Sequence, residues 1–255
     1  MTTTQTTSST FRRSFVDPAL FMSVHKQISR ADGSTIELAF TERSDGDFHI
    51  DADPDALAER RKLVMAGPWA VVRQVHGADV ADAALFDEIG LDPTNAPHAD
   101  AIVTSEADQP IAVQGADCAP LAFITSSGPI AVAHAGWRGL AAGVIESVTE
   151  TLAERGAVVE EVLVGPVIGT ACYEFGSADL DDVAAQLGPH VRGVSATGTP
   201  ALDMRAAIES ACNKAGIDSV SFVSACTSCG DSGFSHRARG ETERHALVAR
   251  IASSA

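Results

Sequence analysis

Three short segments, Gln74-Val75-His76-Gly77, Ala116-Asp117-Cys118 and His134-Ala135-Gly136-Trp137-Arg138-Gly139, are remote from one another in the chain, yet together they carry two imidazoles and a thiol. Each follows an apolar run with strand character, at 70–75, 111–115 and 130–133. Side chains at strand ends project into shared space at one rim of a sheet, so His76, Cys118 and His134 are expected to converge on a soft, tetrahedral ion such as zinc. A structural zinc site closes itself with four protein ligands. Three ligands from three separate elements leave a position for water, which is what a hydrolytic or group-transfer enzyme needs.

The elements that must position these groups alternate along the chain. Asp53-Pro54 reads as a helix cap with proline at the first helical position, and the helix runs on to Gly67. Strands are expected at 70–75, 101–104, 111–115, 121–125, 130–133, 161–165 and 220–225, and helices at 139–152, 178–187, 203–215 and 241–252. Asp203 caps the third of these helices and Gly216 stops it. The turn Ser126-Ser127-Gly128-Pro129 makes 121–133 an antiparallel hairpin, and Pro120 is expected to interrupt pairing beside Cys118. The fold class is therefore α/β with a mixed parallel and antiparallel sheet, a single-domain layered sandwich, and not a plain doubly wound sheet. Residues 1–10, rich in Thr and Ser, read as a disordered tail ahead of one catalytic domain over 11–255.

With 34 acidic against 18 basic residues, the formal charge is −16. Such a surface repels nucleic acid and anionic membranes, so neither is expected as a partner, and an anionic substrate must be held by a local Arg cluster or backbone amides. No apolar run approaches the length of a membrane span, and the opening residues lack the apolar core of an export signal. Five cysteines, an odd and thin count, fit a cytoplasmic protein with reduced thiols.

The motifs resemble one family. Gln74 to Gly77, Ala99-Asp100-Ala101-Ile102-Val103-Thr104, Ala116 to Pro120, His134 to Gly139, Gly165-Pro166-Val167-Ile168, Cys172-Tyr173-Glu174-Phe175, Cys226-Thr227 and Phe234-Ser235-His236-Arg237 follow the order and approximate spacing of the YfiH, or laccase-domain, family from about Phe40 onward. The resemblance implies a YfiH-like fold. It also implies a zinc-dependent purine nucleoside enzyme performing phosphorolysis of adenosine, inosine, guanosine and methylthioadenosine together with adenosine deamination, with His76, Cys118 and His134 on the family's metal positions. Two departures stand out. The family often carries paired arginines where Arg237-Ala238-Arg239 occurs here, and a Thr-Gly-Arg where Thr242-Glu243-Arg244 occurs.

Phosphorolysis requires a phosphate-holding group and a proton for the departing purine. Arg138 and the amides of 136–140 are candidates for the first, and Asp117 and Glu174 for the second. Gln74, Tyr173, His236 and Arg237 are expected to line the substrate pocket, with helix capping as the alternative for His236 and Arg237. Other readings compete. Cys118 and His134 could form a metal-free hydrolase or deamidase pair. The metal could instead shape a partner-binding protein, with Cys172, Cys229 or His236 as a fourth ligand. Copper ranks below zinc as cofactor, since no methionine falls in the motif segments. Cys226-Thr-Ser-Cys229 has zinc-knuckle or redox spacing but no second pair nearby in sequence, which favours a structural role or coincidence.

Overall fold

Alternation of large apolar and smaller residues along the strands builds two sheets packed face to face. The computed structural model describes residues 24–86, 93–223 and 226–253; the expected tail at 1–10 and the end of the expected strand 220–225 lie outside them. The first sheet has the order β1 (Val24–Ser29), β2 (Thr35–Phe40), β13 (His245–Ala252), β6 (Ile111–Gly115) and β3 (Ala70–Val71). The second has the order β12 (Val220–Phe222), β9 (Val159–Val164), β7 (Ala119–Thr125), β8 (Ile130–Ala135), β5 (Ala101–Thr104) and β4 (Val80–Asp82). Pairing is mixed: β3 with β6, β4 with β5 and β9 with β12 are parallel, and the rest of these contacts are antiparallel, the β7–β8 hairpin among them.

The period of two along each strand decides which layer a side chain enters. Ile36, Leu38 and Phe40 of β2, Leu247, Ala249 and Ile251 of β13, and Ala122 and Ile124 of β7 pack between the sheets. Their alternates point outward. Ala39, Ala112, Ala246 and Val248 meet Leu57 of α1 (Pro54–Val64), Phe48 and Trp69. Leu121 and Phe123 face the helical layer, which contains α2 (Trp137–Ala142), α3 (Val144–Glu154), α4 (Ser177–Leu187) and α5 (Met204–Lys214). A small hairpin of β10 (Arg192–Val194) and β11 (Pro200–Leu202) lies between α4 and α5 in sequence. Asp53 and Asp203 cap α1 and α5 as expected, accepting from the amides of Ala56 and Ala206 at 2.9 and 3.1 Å.

Four expectations are corrected. Residues 241–252 do not form a helix, because 245–252 are β13 in the middle of the first sheet. The nearly continuous apolar run fits either period, and burial on both faces selects the strand. The expected helix 139–152 is two helices, divided at Gly143, whose left-handed φ of +90° stops α2. The strand at 70–75 narrows to β3. Beyond it the Gln74 side chain substitutes for backbone, with Oε1 accepting from Gln114 N at 2.7 Å and Nε2 donating to Gln114 O at 2.8 Å. Pro120 does not interrupt pairing; it sits within β7 opposite His134 and accepts from Gly165 N at 2.9 Å, lacking only a donor.

Candidate functional site

The three expected ligands meet at one rim of the second sheet. His76 lies in the turn after β3, Cys118 in the three-residue break before β7, and His134 inside β8. Their nitrogen and sulfur atoms all fall within 4.8 Å of one another, with Cys118 Sγ 3.9 Å from His76 Nε2. The imidazoles of His76 and His134 sit edge to face, 4.9 Å between centroids. His134 is buried and His76 exposed, so the cluster has a dry side and an open side. Backbone strain concentrates here: His76 and Asp117 have φ of +61° and +99°, which few residues other than glycine adopt.

Asp100 holds this arrangement, and sequence reasoning assigned it no role. Fully buried at the head of β5, it accepts from the amides of Val75, His76 and Gly77 at 3.1, 3.0 and 2.7 Å, and Oδ1 meets His134 Nδ1 at 2.9 Å. The His76 turn is thus tied to the His134 ring, and Nε2 of His134 is left for a ligand. The available signal was a lone carboxylate heading an apolar run in Ala99-Asp100-Ala101.

Burial works against charge on these groups, and their mutual attraction overcomes it. Burial pushes the Cys118 thiol up, but His134 and then His76 bring it down to about 6. Burial pushes His134 down, but Cys118 and Asp100 bring it up to about 9. Burial likewise raises Asp100, yet its bonds to His134 and the Gly77 and Val75 amides keep it below the usual carboxylate range.

The donor set of two imidazoles and a thiolate suits a borderline-soft ion. Gly136 completes the fit. A Cβ there would stand 2.9 Å from His76 Cδ2 and 3.0 Å from Cys118 Sγ, so only glycine lets the α2 start approach the cluster.

A cavity of about 470 Å³ opens over the cluster, within the range of small-molecule sites. In a chain of net charge −16, four arginines line it: Arg73, Arg138, Arg237 and Arg244. Arg73 pairs with Asp51 at 2.9 Å. The Arg138 guanidinium lies 4.2 Å over the Trp137 ring, and that of Arg237 lies 4.7 Å over Tyr173. Gln74, Tyr173 and His236 also line the cavity, although the Gln74 amide is committed to Gln114. Of the split arginine pair, Arg237 reaches the cavity, whereas Arg239 turns away to Glu241 and the carbonyls of Thr227 and Gly233.

The two carboxylates expected to handle protons are placed differently. Asp117 lines the cavity, but both oxygens are engaged, accepting from Thr227 Oγ1 at 2.6 Å and Arg237 N at 2.7 Å. Glu174 is not brought to the cavity. Its exposed carboxylate turns toward Thr197 and Ser195, and those hydroxyls with Thr199 hold it below its usual range. Tyr173 is buried, which raises its phenol well above the ordinary value. His245 is almost wholly buried at the start of β13, and among the described residues neither ring nitrogen has a hydrogen-bond partner. Burial lowers it to about 4.

Residues 19–252 match the family model described as multi-copper polyphenol oxidoreductase laccase. The chain is 33% identical over 211 residues to a purine nucleoside phosphorylase of Mycobacterium tuberculosis, covering 78% of this chain and 81% of that protein. It is 34% identical over 217 residues to the purine nucleoside phosphorylase YlmD of Geobacillus stearothermophilus, covering 77% and 79%. The crystal structure of that YlmD superposes with a TM-score of 0.73 at 26% identity, covering 87% of this chain and 93% of the other. The Bacillus licheniformis hypothetical protein YfiH shares the fold with a TM-score of 0.73 at 24% identity, over 85% and 92%.

Proposed function

This chain belongs to the multi-copper polyphenol oxidoreductase laccase family, and from that premise we propose that it is a zinc-dependent purine nucleoside phosphorylase acting in the cytoplasm, with residues 11–255 as its one catalytic unit. The observation that carries the reading is the convergence of His76, Cys118 and His134 beneath an arginine-lined cavity. The nucleosides are adenosine, inosine, guanosine and methylthioadenosine, and adenosine is also deaminated to inosine. Relatives named purine nucleoside phosphorylase support the reaction class.

His76, Cys118 and His134 would hold the zinc, which when bound supplies Lewis-acid polarisation of a substrate or water atom at its remaining position. Asp100 fixes the tautomer of His134 by taking its Nδ1 proton in a hydrogen bond. Arg138, supported by the Trp137 ring and without an ion-pair partner among the described residues, holds phosphate in line with C1′ of the ribose. A phosphate oxygen forms the new bond to C1′ as the bond to the purine nitrogen breaks, and the base leaves with a proton. Tyr173 and Arg237 wall the base and sugar, and Asp117 positions Arg237 through its amide.

Mass spectrometry of products from each nucleoside, with and without phosphate, tests this reading. Free base with ribose 1-phosphate, lost on Cys118→Ala, is the expected result. A zinc-replete protein yielding neither these products nor inosine overturns it.

The thiol brought to about 6 beside an imidazole brought to about 9 favours one second reading, a metal-free cysteine hydrolase. Metal analysis separates the two, since bound zinc would occupy the same sulfur.

A further inference from the structure

A second cluster of soft ligands lies outside the cavity. The sulfurs of Cys172, Cys226 and Cys229 all fall within 4.8 Å of one another, and those of Cys172 and Cys229 are 2.7 Å apart. Cys172 closes the single turn Thr170–Cys172, while Cys226 and Cys229 come from a loop more than fifty residues later. The missing partner of the Cys226-Thr-Ser-Cys229 knuckle is therefore supplied by the fold and not by a neighbouring pair in sequence.

Around Cys226 the backbone is arranged as a thiolate cradle. Its sulfur accepts from Gly169 N at 3.0 Å and from the amides of Ser228 and Cys229, the two residues that a Cys-x-x-Cys turn folds back over its first sulfur. At Gly169 a Cβ would come 3.2 Å from Cys226 Cβ and 3.3 Å from its sulfur, so glycine admits the loop to this distance. A bridge pairs Val167 with Cys226 and keeps the loop in register. Cys229 is exposed, which gives an ion a path from solvent.

We propose that Cys172, Cys226 and Cys229 bind a second thiophilic divalent cation, of the zinc class, separate from the ion at His76, Cys118 and His134. Three thiolates favour zinc-like ions over hard cations. Binding displaces the protons of whichever thiols still carry them, with no change of oxidation state. Among the described residues no further His, Cys or carboxylate joins the cluster, so the fourth position falls to water or an external ligand. The ion would tie the turn that ends beside Tyr173 to the loop whose Thr227 bonds Asp117, bracing the far wall of the cavity.

Metal content of the full chain, purified with zinc present, is the test. Wild type is expected to carry about two equivalents, Cys118→Ala about one, and the Cys118→Ala, Cys226→Ser double variant none. Cobalt exchanged into Cys118→Ala should show thiolate-to-metal charge transfer that the double variant lacks. Should Cys226→Ser fail to fold, zinc must protect the three cysteines of Cys118→Ala from alkylation, as read by peptide mapping. A folded Cys118→Ala without metal, alkylation unaffected by zinc, or a peptide joining Cys172 to Cys229 by a disulfide overturns the proposal. None of these readings depends on the enzyme activity.

Discussion

Asp100 and His134 are joined by a fully buried 2.9 Å contact between Oδ1 and Nδ1, and the same carboxylate gathers three successive amides of the His76 turn. One side chain thereby sets the orientation of two of the three metal-ligand candidates. Asp100→Asn keeps the volume, but its amide can present only one acceptor oxygen to four donors. Metal affinity and kcat/KM are expected to fall roughly 10- to 100-fold. Chelator competition and steady-state kinetics measure it; unchanged affinity would remove the positioning role.

Gly136→Ala places a methyl group 2.9 Å from His76 and 3.0 Å from Cys118 Sγ. The variant is expected to fold with near-normal thermal stability yet bind little metal at the first centre. Gly176→Ala, where a Cβ meets nothing within 4 Å, is the control. Circular dichroism with metal analysis separates a damaged site from a damaged fold.

Arg138 has the Trp137 ring as its support, and among the described residues no carboxylate pairs with it. Arg138→Ala removes a charge-assisted contact, so KM for phosphate should rise by about one to two orders of magnitude. KM for the nucleoside should change far less. Equal effects on both substrates would refute the phosphate-holding role.

His245 makes stability depend on acidity. Its folded value of about 4 lies below the ordinary 6.5, so the unfolded chain takes up the proton first as pH falls. The contribution is complete above pH about 6.5, declines toward pH about 4, and totals about 3 kcal/mol. Denaturant unfolding across that interval should show the slope, and His245→Leu should flatten it.

The convergence of His76, Cys118 and His134 was legible because each follows an apolar run inside a distinctive motif, and strand ends share a rim. Asp100 was not legible, since only the fold shows three amides converging on one carboxylate. Glu174 stood beside Tyr173 in sequence, but neighbours on an extended segment point to opposite sides, and it went to Thr197 and Ser195. The hairpin 121–133 could be read from its turn. β1 and β2 were missed because the first alternates half-buried and exposed polar residues along an edge, and β13 was misread because an apolar run buried on both faces has no period to report. Proximity of Cys172 to the Cys226 loop is a tertiary fact.

β13 pairs on both sides, with β2 and with β6. During synthesis, β1 and β2 leave the ribosome some two hundred residues before the strand that joins them to the rest of their sheet. Until residues 245–252 emerge, the Ile36, Leu38 and Phe40 face has no permanent neighbour on that flank, and His236, Arg237 and Arg244 have not yet reached the cavity. Closure of the sheet and competence of the site therefore arrive together, once residues 236–252 have been made.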